Sequence, residues 1–199
     1  MVRAESERLI LASRSAARQA MLENAGVAFT VRVADVDEDA LKRPGVDPAA
    51  LAQELAAAKA LAVSRGDPEA WVLGGDQTLS FDGGLISKAP TLLAARERLS
   101  AMRGRTHQLH SGAALARNGA LVWSGVDSVT MRMRDFSDAF LDAYLEAEGE
   151  ALLHCVGSYR LEGLGAQLFE AVEGDYFTVL GLPLWPVLQA LRCADVIAT

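Results

Sequence analysis

Most of the familiar signatures of metal, redox and nucleotide enzymes are missing from this chain, and each absence removes a class of function. Cysteine is scarce. Cys155 and Cys193 are the only two and lie far apart, so no C-x-x-C pair supports a zinc or thioredoxin-like reading. Two thiols suit a reducing compartment, and both are expected to be small buried hydrophobes. The three histidines, His107, His110 and His154, have no H-E-x-x-H spacing, and a lone histidine in a strand is more often structural than catalytic. There is no G-x-x-x-x-G-K-[ST], no G-x-G-x-x-G after a strand and no G-x-S-x-G, which removes the P-loop, the dinucleotide fingerprint and the nucleophile elbow. Basic residues are outnumbered, 19 against 26 acidic ones, for a net charge of -7. That balance opposes binding to a nucleic acid backbone. No apolar run approaches the roughly 20 residues that span a bilayer, since the stretch from Val179 to Ala190 is broken by Pro183 and Pro186. The amino terminus, MVRAESERLILAS, places two glutamates ahead of a short apolar run, the wrong order and length for a secretory signal. A cytoplasmic protein without membrane or nucleic acid partners is expected.

What the chain does have is core. Its 199 residues are 51% hydrophobic and 23% charged, enough for a single globular domain and far from the composition of disorder. Leu9 to Ala12 reads as a short strand, followed at once by Ser13-Arg14-Ser15 and a helix over Ala16 to Asn24 that Gly26 ends. Ala28 to Val33 alternates as a second strand. Pro48 opens an Ala-rich helix to Ser64, and Trp71 to Gly75 is the next buried strand. Asp82-Gly83-Gly84 signals a hairpin that returns toward Lys88. A helix over Thr91 to Met102 leads to a long hairpin, Thr106 to Ala116 and Ala120 to Met133, around Asn118-Gly119. Ser137 caps a helix to Ala147. Short strands are expected around His154 to Tyr159 and Ala166 to Val172, with a final helix after Pro183. Helices alternate with both crossover strands and hairpins, so the class is α/β with a mixed sheet, in one domain over residues 1–199.

Three polar constellations stand out. Ser13-Arg14-Ser15 meets the first exposed N–H groups of a helix, with Arg14 and Arg18 a turn apart, which is either a phosphate cradle or an N-cap followed by solvated arginines. The acidic knot Asp35-Val36-Asp37-Glu38-Asp39 is either a site for a hard cation or a solvated loop. It is no EF-hand, because Ala40 and Val46 stand where that loop needs glycine and glutamate. In Gly74-Gly75-Asp76 the glycines admit another backbone or a ligand, and the acid either caps a turn or faces a ligand at the end of the strand. Lys59 from the preceding helix and Lys88 from the hairpin are candidates to lie beside Asp76. Two lysines, two arginines and several carboxylates are what a metal-dependent phosphoanhydride hydrolase requires. His107 is at most a supporting residue.

Taken together these segments resemble the Maf family of nucleoside triphosphate pyrophosphatases. The likeness runs in order through LILASRSAARQAML, VADVDE, AAAKA, GGDQTLSFDGGLISKAP, GRTHQLHSGAAL and GDYFTVLGLPL, and so spans nearly the whole chain. HCVGSYRLEGLGAQLFEAVEG, with GGDQ, is more similar to the branch acting on 7-methyl-GTP than to the branch acting on dTTP and UTP. The resemblance implies a two-lobed Maf/ITPase-like fold around an elongated mixed sheet with a cleft between the lobes, frequent dimerisation, and hydrolysis of the α–β phosphoanhydride with a divalent cation, magnesium or manganese. Products are a nucleoside monophosphate and pyrophosphate, a house-cleaning activity. Carried over by position, Asp76 matches the proton acceptor. Ser13, Arg18, Lys59 and Lys88 match phosphate-binding residues, Glu38 and Asp76 the metal carboxylates, and Ala17, Gln77 and Glu162 the positions that tune base choice. Ala16 and Ala89 stand where the family has proline, and Ala17 where it has a larger residue.

A glutamate at 162 can accept hydrogen bonds from the N1–H and exocyclic amine of guanine, and its charge favours a cationic methylated base. A purine is therefore expected over dTTP. The alternatives are a dTTP/UTP pyrophosphatase, a generic phosphatase releasing inorganic phosphate, and a non-catalytic nucleotide-binding regulator of septum formation, since the family is linked to arrest of cell division. The presence of both Asp76 and Glu38 favours the enzyme.

Overall fold

Leu9-Ile10-Leu11 forms β1 (Leu9–Leu11) and is buried throughout, as a strand between parallel neighbours requires. The computed structural model describes residues 8–198. The glutamates on which the reading of the amino terminus rests lie outside that range. Ser15 caps α1 (Ala16–Asn24) by accepting from the Arg18 amide, and Gly26 turns the chain away at φ 72°. The second strand, β2 (Thr30–Val31), is much shorter than its alternation predicts. Val31 and Val33 are exposed, so no burial rewards the pattern beyond two residues. Asp47 caps α2 (Pro48–Ser64), with proline in its first turn.

The next strand, β3 (Trp71–Phe81), does not stop at Gly75 as expected but continues six residues further, because β5 (Thr106–Arg117) pairs with it antiparallel along nearly its whole length. Asp82 (φ 52°) and Gly83 (φ 74°) turn β3 into β4 (Gly84–Ile86), and α3 (Leu92–Met102) follows with Thr91 as its cap. Asn118 (φ 50°) and Gly119 (φ 70°) join β5 to β6 (Ala120–Met133), both positive φ values as a type I′ hairpin needs. Ser137 caps α4 (Asp138–Glu148). No strand forms over 154–159. A 3-10 turn over Gly149–His154 leads into loops there, and a second over Leu164–Leu168 precedes β7 (Phe169–Glu173). The chain closes with α5 (Tyr176–Val179) and α6 (Leu184–Cys193). Cys193 is exposed and Cys155 only half-buried, against the expectation that both are core.

Among the described residues seven strands make one mixed sheet, in the order β2-β1-β3-β5-β6-β7, with β4 also on β3. Because β5 occupies one edge of β3, β1 and β4 share the other, β1 pairing with Trp71–Leu73 and β4 with Leu79–Phe81. Residues 74–78 lie in the gap between them, and this split divides the molecule. On one side α1 and α6 pack on β1, β3 and β5 around Leu11, Leu22, Leu115 and Leu191. On the other, α3 and α4 pack on β4 to β7 around Leu79, Leu99, Phe136 and Leu141. A third cluster, around Ile10, Ala56, Val72 and Ala114, packs α2 on the opposite face of β1, β3 and β5 from α1 and α6. Among the described residues no helix is long and apolar enough to cross a membrane.

Candidate active site at the split in the sheet

The residues over the split alternate between the two faces of β3. Gly74 faces α2. A Cβ there would collide with the Ala56 carbonyl oxygen and stand 2.8 Å from the Ala60 amide nitrogen. Gly112 on β5 meets Ala52 and Gln53 of the same helix in the same way, its added Cβ 2.7 Å from the Gln53 nitrogen. Both glycines let α2 lie directly on the sheet, so Gly74 makes room for a backbone rather than for a ligand. That close approach brings Lys59 to Asp76, which lies two residues further on the same face. Thr78, next in the series, anchors the start of α2 by donating to the Pro48 carbonyl at 2.7 Å.

Asp76 thus sits mid-strand, opposite Gly112. It stands where β1 ends and so lies beyond the carboxyl end of its neighbour, a position where ligands collect in open α/β sheets. The turn-capping alternative survives only in part: one carboxylate oxygen accepts the Gln77 amide at 2.7 Å, while the other takes an ion pair from Lys59. The same ammonium contacts Glu38 at 2.7 Å, so one cation bridges two carboxylates from different elements. The rest of the acidic knot stays outside. Asp37 accepts the Ala40 amide, Asp39 pairs with Lys42 at 2.8 Å, and Asp35 is exposed.

On the opposite face Arg18 crosses Gly75, whose added Cβ would press on its side chain at 3.2 Å. The guanidinium is buried. It donates through Nε to the Gly181 carbonyl at 2.7 Å and through one terminal nitrogen to Ser13 Oγ at 3.0 Å. Burial pulls its pKa below the usual arginine range, and the negative charges of Asp76 and Glu38 act the other way. The cluster is therefore electrostatically continuous through the split. Arg14, expected to join the cradle, is exposed, because it precedes the helix and lacks the turn that swings Arg18 inward. Lys88 is exposed beyond β4 and forms no hydrogen bond or ion pair with the described residues; its charge is felt at Cys155.

A cleft of about 710 Å³, lined by none of the residues of this cluster, opens between α1, the helix that also carries Arg18, and the loop after α4. Ala17 lies in one wall and Glu162 in another, together with Arg160, Tyr176 and Trp185, while Gln77 is not in the lining. Arg160 reaches Glu162 at 3.3 Å and Glu148 at 3.4 Å. Gln77 is occupied: its side-chain amide donates to the Thr178 and Val179 carbonyls and to Ser111, each at 3.0 Å. It fastens α5 to the sheet and so sets the position of the cleft wall.

Sequence reasoning missed the aromatic wall and the anchorage of the loop that carries Glu162. His107 shares a hydrogen bond of 2.6 Å with the Tyr159 hydroxyl, both rings being buried. Burial lowers the histidine pKa from 6.5 to about 4, so the ring is neutral at pH 7. Arg98 donates to the Val156 carbonyl at 3.0 Å and to Ser158 at 3.2 Å, and Ser158 itself holds a positive φ of 58°. Ser158 and Tyr159 fall within the strand expected over His154 to Tyr159, and neither the turn nor its partners show a local signal.

Among the described residues no group of three or more His, Cys, Asp or Glu is arranged to hold a metal ion. The pair Glu38 and Asp76 fits a smaller requirement. Magnesium is commonly held by one or two carboxylates, with substrate phosphates and waters completing the shell, and these two carboxylates already converge on one cation, the Lys59 ammonium.

Comparison with known proteins shows the family. Residues 8–194 match the model of a family described as Maf-like protein. The chain is 51% identical over 187 residues to the nucleoside triphosphate pyrophosphatase of Maricaulis maris, covering 93% of this chain and 95% of that one. It is 52% identical over 186 residues to the protein of the same name from Caulobacter vibrioides, covering 92% and 93%. It is 46% identical over 195 residues to the 7-methyl-GTP pyrophosphatase of Brucella suis, covering 94% and 98%.

Proposed function

The chain belongs to the Maf-like family, and from that premise we propose that it is a metal-dependent nucleoside triphosphate pyrophosphatase preferring a 7-methylated guanine nucleotide. The observation that carries the reading is the Lys59 ammonium bridging Glu38 and Asp76 at the split in the sheet, with buried Arg18 crossing from the other face. Water attacks the α-phosphorus in line, the bond to the bridging oxygen of the β-phosphate breaks, and a nucleoside monophosphate and pyrophosphate leave. Asp76 accepts the proton of the attacking water. Glu38 and Asp76 would hold a divalent cation, magnesium or manganese, which when bound would supply charge neutralisation and a more acidic water. Arg18, fixed by Gly181 and Ser13, donates to phosphate oxygens as negative charge builds, an effect worth about 3 kcal/mol per donor. Lys59 exchanges its carboxylate contacts for the leaving pyrophosphate. Lys88, exposed and without an ion pair, is available to the distal phosphates.

The relative named for 7-methyl-GTP supports the choice of base, as does the meeting of Glu162 and Ala17 in one cleft. The test is release of pyrophosphate, as opposed to phosphate, from a panel of canonical and modified triphosphates with and without magnesium or manganese. Asp76→Asn keeps an acceptor for the Gln77 amide and loses the base. Its turnover is expected to fall by roughly 10²–10⁴. Undiminished turnover in the folded variant would remove Asp76 from its role, and dTTP and UTP as the fastest substrates would overturn the base assignment.

A further inference from the structure

We propose that Trp185, with Phe177 behind it and Tyr176 beside it, is the platform on which the substrate base stacks. The inference deepens the nucleotide reading above and rests on it. Trp185 is 62% exposed and Tyr176 48%, yet both line the cleft that contains Ala17 and Glu162. The indole is held in place. Its Nε1 donates to an Asp175 carboxylate oxygen at 3.0 Å, while the other oxygen of that carboxylate caps the Thr178 amide at 3.1 Å. The Phe177 ring packs edge-on against it, with centroids 5.4 Å apart and planes at 82°. A large aromatic ring is thus oriented at the mouth of a cleft before anything binds, so little side-chain entropy is lost when a flat ligand arrives.

Charge also bears on the ligand. Arg160 and Glu162 are the charged side chains that line the cleft, and the Arg160 guanidinium is shared with Glu148 behind that lining, so the trio at this wall has one carboxylate more than it has cations. Aromatic faces attract cations, and a carboxylate accepts N–H donors. A 7-methylguanine ring is flat, carries positive charge and presents N–H groups along one edge. A neutral pyrimidine gains stacking alone. The small side chains of Ala16, Ala17 and Ala20, on the α1 wall of the same cleft, leave width for a bicyclic base.

The experiment compares Trp185→Ala and Trp185→Phe with the unaltered protein, reading KM and kcat for 7-methyl-GTP and GTP, melting temperature, sedimentation, and quenching of tryptophan emission by 7-methylguanosine. The alanine variant is expected to raise KM for 7-methyl-GTP about tenfold with kcat unchanged, as the loss of one base–aromatic stack predicts. Phenylalanine is expected to recover most of it. Emission that disappears in Trp185→Phe should be the part quenched by the nucleoside. A KM within twofold of the unaltered value in Trp185→Ala, or no quenching, overturns the platform. Dissociation of a dimer with KM unchanged assigns the face to a second copy of the chain and also overturns it. If the unaltered protein releases no pyrophosphate from any nucleotide, the pyrophosphatase reading fails by itself, and quenching by 7-methylguanosine still decides the platform.

Discussion

The two parts of the site proposed above are built differently. At the proposed phosphate end, the charged cluster over the split, Asp76 lies within β3, Lys59 within α2 and Arg18 in the first turn of α1, each charge held by another element. At the proposed base end, the cleft, Arg160 and Glu162 lie on a loop, Trp185 and Tyr176 project into solvent, and the walls are largely apolar. The chemistry depends on fixed distances, which regular elements hold more closely than loops. Recognition depends on which groups are presented, and a loop can change those without disturbing the frame. One end should therefore respond to backbone packing and affect all nucleotides alike, while the other should respond to side-chain chemistry and discriminate among them.

The strongest way to break that contrast is to push α2 off the sheet. In Gly74→Ala the new methyl meets the backbone of Ala56 and Ala60, which cannot give as a side-chain tip can. A loss of more than ~3 kcal/mol in unfolding free energy is expected, with pyrophosphate release falling by the same factor for every nucleotide because Lys59 moves with the helix. Gly66→Ala is the control, since its nearest neighbour, the Val63 carbonyl oxygen, would lie 3.6 Å away. Equal urea midpoints for the two variants would show that α2 does not depend on glycine at 74.

The same division governs how much was legible in the sequence. The helices α1 and α2 follow from caps and punctuation that are local: Ser15, Asp47, Pro48 and Gly26 act within a turn of their own residues. The hairpin turns at Asp82-Gly83 and Asn118-Gly119 are likewise written in two residues. The grouping of Asp76, Lys59, Glu38, Arg18, Ser13 and Lys88 rests on the family resemblance; the structure brings the first five together at the split, while Lys88 stays exposed and apart. Two errors came from non-local pairing. β3 runs past Gly75 because β5 is there to pair with it, and 154–159 is a loop because Tyr159 finds His107, 52 positions away, rather than a strand partner. The role of the glycines was also misplaced in part, since a sequence shows that something comes close at Gly74 but not that it is Ala56 and Ala60 of α2. Tyr176 and Phe177 stand in the closing motif and Trp185 just past it, but nothing local marks them as a wall, because the three converge only when α5 and α6 are folded.

At the base end, acid should loosen the anchor that His107 provides. The folded-state pKa of His107 is about 4 against 6.5 when unburied. Below 6.5 the unfolded chain binds a proton that the folded chain refuses, so the stability held above that pH is lost progressively as pH falls through about 4. A shift of this size amounts to about 3 kcal/mol in full. Urea midpoints at pH 7 and pH 4.5 should therefore converge in His107→Gln, which has no such proton to bind, and separate in the unaltered protein. An equal acid loss in both would remove His107 as its source.

The smallest expected effect is the most selective. Glu162→Gln keeps the oxygen that accepts from Arg160 and removes one charge from the cleft. If the base end acts by side-chain chemistry, the preference for 7-methyl-GTP over GTP should fall about tenfold, the loss of on the order of 1.4 kcal/mol. The change should lie in KM, because no group that touches the α-phosphorus has moved. Stability should change by less than about 0.5 kcal/mol, since the Arg160 pair is solvent-exposed and worth little by itself. A fall in kcat that is equal for both nucleotides would mean that the loop carrying Glu162 reports to Asp76 after all, and the separation of the two ends would fail.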